Sequence, residues 1–149
     1  TTGNAAALIN RENSTLDLGT NNTSRMTIAA DGKIVMGTTA TPTGYRLYVE
    51  EGILTEKVKV ALKSSAEWSD YVFAKDYALK PLSDVEAYIN EHQHLPGVPS
   101  AQDVVDNGID IAKMDAKLLE KIEELTLHLI DMNKKMEAMQ QELDALKKK

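Results

Sequence analysis

Two histidines one residue apart, His92 and His94, lead into two prolines in the stretch NEHQHLPGVPS, Asn90 to Ser100. Paired imidazoles are the side chains of this sequence best suited to hold a metal ion or to move protons. On a helix, residues two apart point in different directions, so these two cannot grip one ion there. In an extended segment they could share a face, but no third ligand is nearby, and His128 lies far along the chain. The flanking residues describe a corner instead. Leu95 and Val98 each precede a proline, which drives both toward extended backbone. Gly97 permits a bend between Pro96 and Pro99, and Ser100 can cap a following helix. Pro96, Gly97 and Pro99 are therefore expected to form a rigid structural corner. The histidines then sit at a helix end, one of them satisfying terminal carbonyls, and neither a metal site nor a cofactor is expected.

What surrounds that corner limits the chemistry further. The 149 residues carry a net charge of −6, which argues against a nucleic-acid partner. The only basic run, Lys147-Lys148-Lys149, falls where cations suit the negative end of a helix. With no cysteine there are neither disulfides nor thiolate metal sites. No apolar run is long enough to insert in a bilayer, and no signal peptide is evident. The first residue is Thr1 rather than Met, which leads us to expect a processed form or a piece of a longer protein.

Three regions with three periods position these residues. Residues 1–63 are rich in Thr, Asn, Gly and Ser, with short runs of alternating apolar residues. In SRMTIAADGKIVMGTT, Met26 and Ile28 alternate, Asp31-Gly32 supplies a turn, and Ile34 and Met36 alternate again. RLYVEEGILTEKVKVAL repeats the plan with Leu47 and Val49, a turn near Glu51-Gly52, then Val58, Val60 and Leu62. These strands are too thin in large apolar residues to close a sandwich alone, so a core shared between identical chains is expected. Residues 64–110 form a small mixed segment. A capping box at Ser83 and Glu86 opens a predicted helix from Asp84 to about Gln93, burying Val85, Tyr88 and Ile89. A second short helix is predicted from Ala101 to Asn107, capped by Ser100 and stopped by Gly108 in left-handed geometry.

From Ile111 the period becomes 3.5. Leu118, Ile122, Leu125, Leu129, Met132, Met136, Met139, Leu143 and Leu146 alternate steps of four and three without a break. With a positions at 122, 129, 136 and 143, this stripe predicts a coiled coil from about residue 118 within a helix spanning 111–149. Leu119, Leu127 and Ile130 lie off the seam and offer a second apolar face for the 64–110 segment. Beyond Ile130 only the seam is apolar, so there the helix should stand free. The whole reads as an α+β fibrous homotrimer: an N-terminal β stalk of short strands, a small mixed α segment, and a C-terminal parallel coiled coil. Leu, Met and Ile at a and d do not themselves choose between two and three strands.

The order of parts resembles known fibres. DGKIVMGTTATPTGYRLYVEEGILTEKVKV is similar to the stalk repeat of phage-type tail fibres. WSDYVFAKDYALKPLSDVEAYINEHQHLPGVPSAQDVVDNGIDIAKMDAKLLEKIEELTLHLI resembles the C-terminal module of tail-fibre-like proteins of Bacteroidetes and their phages. The likeness runs over about residues 30 to 135. The layout is more distantly similar to the endosialidase-type intramolecular chaperone, or S74 peptidase, domain, a trimeric fibre tip that cuts itself at a Ser-Asp pair. The resemblance implies trimer number and a place in a phage tail, a contractile injection system or an extracellular surface fibre. It also implies partners in the rest of a longer fibre or its baseplate, and the possibility of adhesion to a cell-surface receptor.

Ser69-Asp70 resembles that cleavage pair. The chaperone family places Arg-Leu-Lys soon after it, the lysine serving as base, whereas this chain has Tyr71-Val72-Phe73 and Lys75 further on. A serine without a positioned base is a poor nucleophile, so Ser69 is read as a turn residue and no enzyme activity is expected. Two classes of function follow: a structural fibre end whose coiled coil trimerises and registers the stalk, or a receptor-binding or self-processing tip. For receptor binding, the candidate aromatic patch is Tyr45, Tyr48, Trp68 and Tyr71.

Overall fold

The computed structural model of the chain describes residues 6–37, 43–62, 64 and 67–148. It divides into two units, Thr1–Val58 and Lys59–Lys149. The architecture is α+β: one four-stranded sheet, a 3-10 turn and three α-helices.

The sheet, in the first unit, runs in order β1 (Leu16–Thr20), β2 (Thr23–Ile28), β3 (Ile34–Met36) and β4 (Leu47–Val49). β1 and β2 form a hairpin about Asn21 and Asn22, which take φ of 53° and 54°. Two consecutive left-handed residues make the turn whose twist matches paired strands, and asparagine tolerates that geometry better than other residues bearing a Cβ. The expectations centred on 26–36 and missed this hairpin. The Asp31-Gly32 turn forms as expected: Gly32 N–H donates to Ala29 O at 2.8 Å, and Lys33 N–H donates to Asp31 Oδ1 at 3.1 Å. β4 then returns parallel to β3. The run Val58, Val60, Leu62, expected as a strand, has no strand structure, and Val58 and Val60 are 69% and 50% exposed. Among the described residues no strand pairs with it.

Register sorts the side chains. Leu16, Ile28, Ile34 and Leu47 stand in one cross-strand row; Leu18, Met26, Met36 and Val49 stand in the next row on the same face. All eight are apolar, yet none is buried, and Leu18, Met36 and Leu47 are 44%, 43% and 52% exposed. The opposite face carries the row Asp17, Thr27, Val35 and Tyr48. There the Asp17 carboxylate accepts from the hydroxyls of Thr15, Ser24 and Thr27, which hold its pKa below the usual value.

The second unit consists of a 3-10 turn, Ser69–Phe73, then α1 (Leu82–His92), α2 (Ala101–Asn107) and α3 (Ile111–Lys147). α1 starts after Pro81 with no side-chain cap, and Ser83 Oγ bonds to Asp84 Oδ1 instead. The capping box expected at Ser83 and Glu86 therefore does not form. Pro81 has its φ already set for a helix start, which moves the first turn two residues earlier. A capping box does form at α2, where Ser100 and Asp103 exchange side-chain and backbone hydrogen bonds. Gly108 ends α2 with φ of 67°, but ψ of −174° carries the chain into extended backbone rather than a left-handed turn.

α3 runs unbroken for 37 residues, capped by Asp110. Few apolar side chains are buried among the described residues: Val35, Tyr48, Val72 and Ala116. The chain leaves 12834 Å² of surface uncovered, whereas a folded monomer of 16.4 kDa exposes about 7,500 Å². Replacing Asn22 with Val should destabilise the β1–β2 hairpin by roughly 1–2 kcal/mol, because a β-branched residue resists positive φ. Faster amide exchange confined to residues 16–28 would register that loss.

Candidate functional site

The histidines lie at the corner, as their spacing requires. Tyr88, on the last turns of α1, packs against both, with ring centroids 4.1 Å from His92 and 5.6 Å from His94, and the two imidazoles lie 6.1 Å apart. Neither imidazole caps the helix. Gln93, at φ of 62°, turns its side-chain amide back onto Ile89 O at 3.1 Å and Asn90 O at 3.0 Å. Its two-donor amide reaches two carbonyls at once, whereas His94 Nδ1 meets only Leu95 O at 3.1 Å. Pro96, Gly97 and Pro99 make the bend: Gly97 has φ of 78°, and Val98 N–H closes a turn on Leu95 O at 3.1 Å. Among the described residues no group of three or more His, Asp or Glu side chains is arranged to hold a metal ion.

Ser69 is placed differently from a surface turn residue. It is 1% exposed, and its hydroxyl donates to Ala116 O of α3, the one partner it has among the described residues. Val72, also 1% exposed, is the apolar anchor of the same turn, in which Asp70 is exposed. The Ser69 proton is thus committed to a helix carbonyl, and among the described residues no base is hydrogen-bonded to its oxygen. Sequence reasoning missed this bond because Ser69 and Ala116 are distant in sequence.

Around it lies a network that the sequence did not announce. Tyr71 donates its phenol to Glu120, and Tyr77 donates to Glu124 at 2.5 Å. Lys117 meets Glu120 at 2.6 Å, while Lys121 bridges Glu120 at 2.8 Å and Glu124 at 2.7 Å. Burial alone would raise the pKa of Glu120, but hydrogen bonds from Lys117, Lys121 and Tyr71 outweigh it and bring the value down to about 2. The Tyr71 phenol, held chiefly by its bond to Glu120, is pushed up to about 12. The Tyr77 phenol is raised too, mainly by burial.

On the heptad of α3, the buried residues Ala116 and Glu123 are b positions and Glu120 is f. The turn therefore docks on the side of the helix away from the a and d stripe. Of the residues expected to form the packing face, Leu119 and Leu127 are half-buried, and Ile130 is 46% exposed. A turn that brings hydroxyls seeks acceptors, and the carboxylates of the polar face supply them.

The stripe itself stays bare. All nine residues from Leu118 to Leu146 are exposed, from 44% at Leu118 to 68% at Leu146. Of the aromatic candidates, Tyr45, Trp68 and Tyr71 are 67%, 41% and 46% exposed, but Tyr48 is 8% exposed and bonds Tyr45 O at 2.9 Å. No described helix is long and apolar enough to cross a membrane. Comparison of the chain with protein-family models, with curated proteins and with solved structures finds no match in any of the three.

Ser69→Ala should cost about 1 kcal/mol, the usual worth of such a bond, and Tyr71→Phe a similar amount. Glu120 carries a pH signature. Its folded pKa lies below the ordinary 4.5, so its contribution is present above pH 4.5 and fades as pH falls toward about 2. Urea midpoints measured across that range should fall on acidification, and Glu120→Gln should flatten the fall.

Proposed function

We propose that the chain is the structural end of a fibre, a parallel homotrimer in which the α3 seam brings three chains together and registers a shared β core. One observation carries this reading: the polar side of α3 is covered by the chain's own turn while nine apolar residues on the opposite stripe are bare. A surface-exposed stripe of this length is not expected on a lone soluble chain, and its 3.5-residue repeat fits partner helices running alongside. The apolar face of the sheet needs cover of the same kind. The likeness to phage-type and Bacteroidetes tail-fibre sequences supports the trimer number and a place in a virion tail, an injection system or an extracellular fibre. It also supports attachment to a longer fibre or baseplate. No catalytic step belongs to this function. Ser69 stays whole, because its proton is engaged with Ala116 O and it lacks a base.

A second reading, recognition of a cell-surface receptor, draws on the exposed aromatic side chains Trp68, Tyr71 and Phe73 within one short stretch. Aromatic anchors of this kind are common at binding surfaces.

Formation order follows from topology. Pairing strands from separate chains is non-local and slow, whereas a helix forms through local contacts and then concentrates the strands. Each seam Leu or Ile contributes roughly 1.5–3 kcal/mol when buried, so Ile122→Asp with Leu125→Asp should abolish association. Light scattering on the full chain should return three times 16.4 kDa, and the double variant a single-chain mass. A wild-type chain that stayed monomeric at micromolar concentration would sink the proposal. Intact mass after long incubation should show one species, with no fragment beginning at Ser69.

A further inference from the structure

Where the turn meets α3, one carboxylate has no answer. Glu123 is 7% exposed, and its Oε2 is buried without a hydrogen-bond partner. The nearby charges are of the wrong sign. Asp70 of the turn and Glu120 of α3 both act on it unfavourably. The cations of this face are engaged elsewhere: Lys117 binds Glu120, and Lys121 bridges Glu120 and Glu124. The phenols are spoken for as well, Tyr71 by Glu120 and Tyr77 by Glu124. Burying an ionised carboxylate with no donor and two like charges beside it is costly, whereas a protonated carboxyl in the same place is tolerated.

We propose that Glu123 is a pH-sensitive latch: protonated, it lets the Ser69–Phe73 turn dock tightly on α3, and ionised, it loosens that docking. The turn is the first element of the second unit, so the latch sets how firmly the chain is held as it enters the helical part. Burial first, then Asp70 and Glu120, raise the pKa of Glu123 above the ordinary 4.5. The docked state therefore holds a proton that the undocked state releases, and docking weakens as pH rises from 4.5 through the raised value. Glu120 titrates at about 2, below this window, so it does not mask the effect. Together the two carboxylates place the firmest docking near pH 4.5, with opposite slopes on either side. The latch goes beyond the fibre reading and does not depend on how many chains associate, since b positions face away from the seam.

The chain's single tryptophan, Trp68, adjoins the turn and reports on it. Acrylamide quenching of Trp68 in the full chain, from pH 4.5 to 8, should increase with pH. The docked-to-undocked ratio should fall by up to about tenfold per pH unit within the window, the limit for one linked proton. Glu123→Gln should keep Trp68 protected throughout and remove the slope. Asp70→Asn, on the exposed side of the turn, should move the rise to lower pH with helix content unchanged. The latch is refuted if Glu123→Gln titrates like the wild type, or if protection grows as pH rises. Should Glu123→Gln fail to fold, an Asp70→Asn profile identical to wild type refutes it equally.

Discussion

The docking of the Ser69–Phe73 turn on α3 decides which side of the long helix remains available. Val72 supplies the only fully buried apolar side chain of the contact, and Ser69 ties the turn to Ala116 O. Because the turn arrives with hydroxyls from Ser69 and Tyr71, and the segment after it with that of Tyr77, it settles on the face that offers a carbonyl and two carboxylates. Had it settled on Leu118, Ile122 and Leu125, the seam would be occupied and the helix could not recruit partners. The polar contact is therefore what leaves the apolar stripe exposed.

That choice has a physical cost. Polar networks hold position well only when every member is satisfied. Glu120 is satisfied three times over, by Lys117, Lys121 and Tyr71, while Glu123, three residues on, has its Oε2 buried without a partner among the described residues. Residues three apart lie on the same helix side, so one docking surface contains both a strong clamp and a weak point. A clamp alone would make the contact indifferent to pH near neutrality. The weak point makes it responsive.

The sheet faces the same problem as the helix in a different geometry. Two cross-strand rows of apolar residues lie on one face, and among the described residues Leu18, Met36 and Leu47 of these rows are exposed while the other five are half-buried. The β3–β4 pair is parallel, an arrangement normally covered on both faces. Short strands and modest side chains give this sheet little core of its own, which is the gap the proposed association would fill. Methionines at 26 and 36 in the sheet, and at 132, 136 and 139 in the helix, make both surfaces adaptable more than strictly specifying.

Periodicity carried much of the fold on its own. The 3.5-residue stripe from Leu118 to Leu146, the Ser100 cap with the Gly108 stop, the Asp31-Gly32 turn and the proline corner all depend on residues near one another in sequence, and all are present. The sequence by itself thus determined the helices, the apolar stripe of α3 and the apolar face of β2 to β4, but it missed the β1–β2 hairpin and placed a strand at 58–62 that does not form. It did not determine which helix face the turn would take. The Ser69–Ala116 and Tyr71–Glu120 bonds join residues far apart, and an amphipathic pattern marks Leu119 and Leu127 as readily as Glu120 and Glu123. Local signals also misplaced two ends: Pro81 overrode the Ser83 box, and Gln93 rather than a histidine closed α1. The buried carboxylates were decided by tertiary structure alone, because burial of a charge depends on what else arrives at the same place.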